Sequence, residues 1–256
     1  MRLLHHVIDG DAGAPVLVLG PSLGTDLGIF DAQVAALADR YRVIRYDLWG
    51  HGGSPVVPGP YSMAGLASDV LELLDALGVD RFHYAGVSIG GAIGQWLAIE
   101  HGERLNSLTI CASAAQFADP ASWPLRAAAV RAEGTELLVP SRTGTWFTAR
   151  FAQQAPDETE RLLEMLRRTS REGYAGCCEA IATFDVRALL GQVCVPTLVI
   201  AGAEDPATTI DMVRIVADSI RGATFVRVPE AAHLVNAERP GPVTAALARH
   251  LERHSR

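Results

Sequence analysis

No stretch of this 256-residue sequence approaches the roughly 20 consecutive apolar residues that a helix needs to cross a bilayer. The first ten residues hold no apolar run followed by a small-residue cleavage site, so the chain is expected to stay in the cytoplasm. Cysteine is scarce. Cys111, Cys177, Cys178 and Cys194 form no Cys-x-x-Cys pair, and the vicinal pair is awkward for a structural disulfide. They read as reduced, mostly buried apolar residues, not as a metal or redox centre. A phosphate-cradling glycine fingerprint, a cluster of metal ligands, an internal repeat and a low-complexity tract are all missing, and neither a metal nor an organic cofactor is expected. Basic charge is also short: 22 basic residues against 29 acidic ones leave a net charge of −7 with no basic stripe. Nucleic acid and an anionic membrane are therefore not expected as partners.

A hydrophobic content of 49% with 20% charged residues is ordinary for a soluble globular protein, and the length suits one large α/β domain or one domain with an insertion. Strand-like runs at residues 3–8, 15–19, 42–46, 81–85 and 105–111 alternate with helical patterns at 30–37, 63–77 and 92–99. That alternation implies right-handed crossovers and a mostly parallel sheet with helices on both faces. The pattern changes near Ala114. Between residues 116 and 186 there is no convincing strand, only helical stretches at 124–132, 145–153, 157–169 and 172–183, broken by proline and glycine. We expect this block to be a helical cap inserted into an α/β core made of residues 1–115 and 187–256, lying over the sheet edge where ligands of open α/β sheets bind. Strands resume at 196–202 and 224–228, with helices at 209–220 and 240–251 and a frayed tail at 254–256.

The stretch Tyr84-Ala85-Gly86-Val87-Ser88-Ile89-Gly90-Gly91 reads as a strand turning sharply into a helix, with glycines on both sides of a serine. It matches the Gly-x-Ser-x-Gly nucleophile elbow, in which small residues let strand and helix approach while the serine holds a strained backbone. A serine hydroxyl is a poor nucleophile at neutral pH. It needs a base, and the base needs a group that fixes its tautomer. With such an elbow the partners follow in the order acid, then histidine. Asp205 is preferred to Glu204 as the acid because Pro206 ends the turn directly after it. Of eight histidines, His233 alone sits in a loop after a late strand at the same edge. His51 lies in a loop at that edge too, but its Gly50-His51-Gly52 setting reads as tight-turn structure. The amides of Ile89, at the start of the elbow helix, and Leu23, in the glycine-rich turn after the second strand, are candidate oxyanion donors.

These motifs, with Ser22-Leu23-Gly24-Thr25-Asp26, Arg45-Tyr46-Asp47, Trp146-Phe147-Thr148 and Gly173-Tyr174-Ala175-Gly176-Cys177-Cys178-Glu179-Ala180-Ile181, give a chain that resembles the 3-oxoadipate enol-lactonases. Those are α/β-hydrolase-fold enzymes of bacterial protocatechuate and catechol breakdown. The resemblance implies Ser88 as nucleophile, Asp205 as acid, His233 as base and the Leu23 and Ile89 amides as oxyanion hole. Trp49 stands where many relatives of the fold carry arginine, so no arginine role carries over there. Some members are fused to a carboxymuconolactone decarboxylase domain, and no segment here is expected to supply that activity. The substrate implied is a small lactone with a free carboxylate, which calls for a cationic partner opposite an apolar wall. Arg126, Arg131 and Arg142 are the candidate cations, of which Arg126 and Arg142 are carried forward, and Trp123 and Trp146 are candidate walls, with Trp146 preferred. A carboxylesterase, another lactonase or a cofactor-free perhydrolase would use the same triad, and a ligand-binding protein that lost turnover would keep the fold. Oligomeric state is not legible in the sequence.

Overall fold

The chain opens with two short strands, β1 (His6–Asp9) and β2 (Val16–Gly20), in a computed structural model that describes residues 3–255. A 3-10 turn, Leu27–Phe30, leads into α1 (Asp31–Leu37), followed by β3 (Arg42–Tyr46). Next comes α2 (Met63–Ala76), which starts where the Ser62 hydroxyl accepts the Gly65 amide at 3.1 Å. It ends at Gly78, whose φ of +69° a side chain would disfavour, while the Val79 amide closes back on the Leu74 carbonyl at 2.9 Å. Its apolar stripe, Leu66, Val70, Leu73 and Leu74, is buried. Full burial of one such leucine contributes about 1.5–3 kcal/mol.

β4 (Phe82–Val87) is buried at every position, as a central strand covered on both faces must be. It runs straight into α3 (Ile89–Glu100), and β5 (Leu105–Cys111) lies beside it. Four helices follow before the next strand: α4 (Ser122–Glu133), α5 (Ala149–Gln154), α6 (Pro156–Arg168) and α7 (Arg171–Ala182). The chain enters and leaves this block through the Gln116 to Asp185 bridge and a 2.9 Å bond from the Val186 amide to the Ala115 carbonyl. β6 (Thr197–Gly202), α8 (Ile210–Ser219), β7 (Thr224–Val228), α9 (Val235–Glu238) and α10 (Pro240–His254) complete the core.

The seven strands form one sheet in the order β1-β3-β2-β4-β5-β6-β7. Only β1 pairs antiparallel, so the sheet is mostly parallel as expected. Helices cover both faces. On β4, Tyr84 meets Gly94 of α3, whereas its neighbour His83 points the other way and meets Ser255 just past α10. The strand order reverses between β2 and β4, and the loops leaving these two strands meet at the point where open α/β sheets bind ligands.

Three local expectations differ from what is observed. The helix expected at 145–153 is confined to Ala149–Gln154, because the Thr145 and Trp146 carbonyls accept the His233 and Leu234 amides instead of serving a helix. A 3-10 segment at Thr135–Ser141 was not legible, since Pro140 within it breaks the helical pattern. The tail is not frayed at its first two residues: His254 ends α10, and the Ser255 hydroxyl donates to the Leu251 carbonyl at 2.7 Å. Arg256 lies outside the described residues.

Candidate active site

Ser88 sits between β4 and α3 with φ of 58° and ψ of −117°, a strained conformation for a residue with a side chain. The fold holds it there from both sides. Its amide donates to the Cys111 carbonyl on β5 at 2.9 Å, and its carbonyl accepts the Ala92 amide at 3.0 Å. The flanking glycines allow the turn: a Cβ on Gly86 would lie 2.2 Å from the Gly90 carbonyl oxygen, and one on Gly90 would lie 2.2 Å from that of Gly20. Underneath, the Tyr84 hydroxyl donates to the Gly90 carbonyl at 2.9 Å and fixes the first turn of α3.

Asp205 follows β6 and is buried. One carboxylate oxygen accepts the Ala207 and Thr208 amides at 2.7 and 3.0 Å, and the other accepts the Thr208 hydroxyl at 2.6 Å and Nδ1 of His233 at 2.8 Å. Burial alone would hinder ionisation, but His233 and the Thr208 donors outweigh it and hold the carboxyl below its ordinary range. Glu204, the alternative acid, is half exposed and faces Arg150 at 3.3 Å, away from the histidine. His233 lies in the loop between β7 and α9. Because its Nδ1 is taken by an acceptor-only group, Nε2 keeps the free lone pair.

Ser88 and His233 line one cavity of about 220 Å³ together with Ser22, Leu23, Pro206 and Ala207 of the core. That is below the roughly 300–1,000 Å³ of sites for drug-sized ligands, so the cavity suits a small molecule. Its other walls are Trp123, Arg126, Arg142, Thr145, Trp146, Tyr174 and Ile181, all from the helical block between β5 and β6. The amides of Leu23 and Ile89 donate to no protein acceptor among the described residues. Leu23 lies in the loop after β2 and Ile89 is the first residue of α3 after β4, the two strands at which the order reverses.

The arginines divide. Arg131 binds Glu172 and Glu179 through four hydrogen bonds of 2.6–3.1 Å and is absent from the cavity wall, which removes it as a candidate. Arg126 stacks over Trp123 at 4.5 Å and Arg142 over Trp146 at 5.4 Å, and neither has a carboxylate partner among the described residues. Arg142 is buried, and among the described residues its hydrogen bonds go to the Leu138 carbonyl and the Ser141 hydroxyl, at 3.2 and 2.9 Å. Burial disfavours its charge and pulls its pKa down from the usual value. The sequence contains no lysine, so every permanently charged basic side chain is a guanidinium. Two of them line one small cavity of a net-negative protein, a local positive charge that favours anions over cations.

The remaining histidines lie elsewhere. His51 is fully enclosed with Nδ1 against the Trp49 carbonyl at 3.0 Å, and burial lowers its pKa to about 4. His5 pairs with Asp47 at 2.7 Å, and His83 with Ser107 at 2.8 Å. Trp49 donates to Asp69 at 2.7 Å. Tyr174, Ser22, Thr145 and Ile181 also line the cavity, and sequence reasoning did not single them out. Tyr174 lies in a motif that carries the resemblance, but its helical spacing within α7 does not separate a pocket tyrosine from a core one. Three cysteines are buried, but Cys194 is exposed.

Residues 15–240 match the model of the alpha/beta hydrolase fold family. The chain belongs to the α/β-hydrolase family. Among its relatives, 3-oxoadipate enol-lactonase 2 of Acinetobacter baylyi is 40% identical, over 93% of this chain and 88% of that protein. The crystal structure of the enol-lactonase from Burkholderia xenovorans superimposes with a TM-score of 0.95 at 39% identity, covering 97% of this chain and 96% of that one. A thermophilic esterase from Thermogutta terrifontis, solved with malate bound, gives a TM-score of 0.93 at 29% identity over 99% and 94% of the two chains. The resemblance to enol-lactonases therefore extends over nearly the whole α/β-hydrolase chain. Among the described residues, no helix is long and apolar enough to cross a membrane.

Proposed function

We propose that this protein is a serine hydrolase that opens 3-oxoadipate enol-lactone to 3-oxoadipate. The observation that carries the reading is one cavity in which Ser88 and the Asp205-bound His233 face two guanidiniums that have no acid partner among the described residues. The 40% identity to 3-oxoadipate enol-lactonase 2 supports the choice of lactone. In this reading residues 116–186 act as a cap, and Arg126 and Arg142 receive the substrate carboxylate while Trp146 walls the ring. The cytoplasm is the compartment that suits four unpaired thiols.

His233 takes the proton of Ser88 as Oγ attacks the ring carbonyl, and Asp205 stabilises the imidazolium. Charge builds on the carbonyl oxygen, where the Leu23 and Ile89 amides receive it; one such donor is worth about 2.7–4 kcal/mol of barrier. The ring C–O bond breaks, and the enolate takes a proton and tautomerises to the ketone. Water, deprotonated by His233, then cleaves the acyl-enzyme and releases the dicarboxylate with Ser88 restored.

The test is turnover of freshly generated enol-lactone by wild type and Ser88→Ala, beside a neutral aryl ester. Turnover of the lactone abolished by Ser88→Ala supports the reading, and wild-type turnover in that variant sinks the mechanism. A carboxylesterase for esters that carry a carboxylate is the second reading, favoured by the likeness to an esterase solved with malate. Good cleavage of such an ester with no turnover of the lactone would select it.

A further inference from the structure

We propose that Glu238 is a positioning residue that fastens the His233 loop to the cavity wall, so that the substrate-facing segment and the base move as one body; this rests on reading His233 as the base. Glu238 is buried on α9, 5% exposed, and faces no cation among the described residues. Its Oε1 accepts the Thr148 amide at 3.1 Å and the Thr148 hydroxyl at 2.6 Å, and its Oε2 accepts the Ala232 amide at 2.8 Å. The Thr148 oxygen already accepts the Phe151 amide at 3.2 Å, so its proton points to the carboxylate. An uncompensated buried carboxylate is costly, and three donors aimed at it are what make the position tolerable.

The seam continues through the next two residues. The His233 amide donates to the Thr145 carbonyl at 3.2 Å and the Leu234 amide to the Trp146 carbonyl at 2.7 Å. Thus the amides of residues 232, 233 and 234 are all spent on Glu238 or on the segment that carries Trp146. On the opposite side the Glu204 amide donates to the Ala231 carbonyl at 2.8 Å, which ties the same loop to the Asp205 turn. His233 is therefore held between the acid loop and the cavity wall, and Glu238 closes the second half of that clamp. A glutamine has the same shape but would present an N–H₂ to one of three donors. Outside the seam, Arg150 bridges Glu230 and Glu204 at 2.8 and 3.3 Å, but it is exposed and contributes little.

The experiment measures kcat and KM on the enol-lactone for Glu238→Gln, Thr148→Val, Thr148→Ser, Arg150→Ala and His233→Gln, with thermal melts. Glu238→Gln and Thr148→Val should lower kcat by about ten- to a hundredfold, the loss expected for a displaced catalytic group, while KM moves less. Thr148→Ser keeps the hydroxyl and should restore kcat to within about threefold, and Arg150→Ala should stay within about twofold. A folded Glu238→Gln with wild-type kcat overturns the proposal. If Glu238→Gln does not fold, Thr148→Val decides: wild-type kcat there, or an equal loss in Thr148→Ser, overturns it. His233→Gln separates the two layers. Loss of turnover in it beside a normal Thr148→Val removes the clamp alone, whereas wild-type turnover in it removes the base assignment as well.

Discussion

Nδ1 of His233 lies 2.8 Å from Oδ2 of Asp205, and the Thr208 hydroxyl closes on the same oxygen at 2.6 Å. A carboxylate only accepts, so this contact places the imidazole proton on Nδ1 and leaves Nε2 as the basic nitrogen. Asp205→Asn can donate its amide proton to Nδ1 and stabilise the wrong tautomer. We expect kcat/KM on the lactone to fall by about 10⁴-fold, as in other serine triads, with the melting temperature reporting an intact fold. A loss of less than about tenfold would remove Asp205 from the acid role.

Substitution of Arg142 tests its proposed part in substrate recognition apart from the chemistry. Its guanidinium is buried over Trp146 with no carboxylate partner among the described residues, and Arg126 faces the same cavity. Arg142→Gln should weaken handling of the carboxylate-bearing lactone by about 1.5–3 kcal/mol in kcat/KM, the worth of a charge-assisted bond. A neutral aryl ester should change little. Equal losses on both substrates would show that Arg142 supports the wall and does not read the carboxylate.

Burial is the first cause that pushes His51, His83 and His250 from 6.5 down to about 4. The folded state keeps them neutral, while the unfolded chain takes up protons below 6.5. Their contribution is full above 6.5 and is lost as pH falls towards 4; for the fully enclosed His51 it amounts to about 3 kcal/mol. Melting temperature should therefore drop across this window. A flat profile between these pH values would contradict the enclosed neutral state.

The glycines of the elbow meet backbone, which cannot swing aside. A Cβ on Gly90 would sit 2.2 Å from the Gly20 carbonyl oxygen and 2.8 Å from that of Pro21. Gly90→Ala should cost about 1–3 kcal/mol through overpacking, with roughly 2–4 °C of melting temperature for each kcal/mol. It should also lower kcat, because Ser88 precedes the displaced turn by two residues. Unchanged melting and turnover would show that β2 and α3 yield freely.

Much of the fold was legible because its signals are local. The apolar run at β2, the helical spacing over α2 and the Gly-x-Ser-x-Gly turn each depend on neighbours within a few residues. Where a distant partner competes for the same backbone groups, the local reading failed. Residues 145–148 carry a helical pattern, yet the Thr145 and Trp146 carbonyls and the Thr148 amide are engaged by residues 233, 234 and 238, about a third of the chain away.

The amino-acid sequence by itself determined the elbow, the chain order of serine, acid and histidine, and the presence of arginines and tryptophans between β5 and β6, since residue type and short spacing suffice for these. Tertiary structure alone decided which arginines face the cavity. Arg131 and Arg142 look alike in a sequence, but Arg131 meets Glu172 and Glu179, 41 and 48 residues away, while Arg142 meets no acid among the described residues and faces the cavity. The clamp at Glu238 belongs to the same class, because a buried carboxylate takes its role from the donors folding brings to it, and those of Thr148 lie 90 residues earlier.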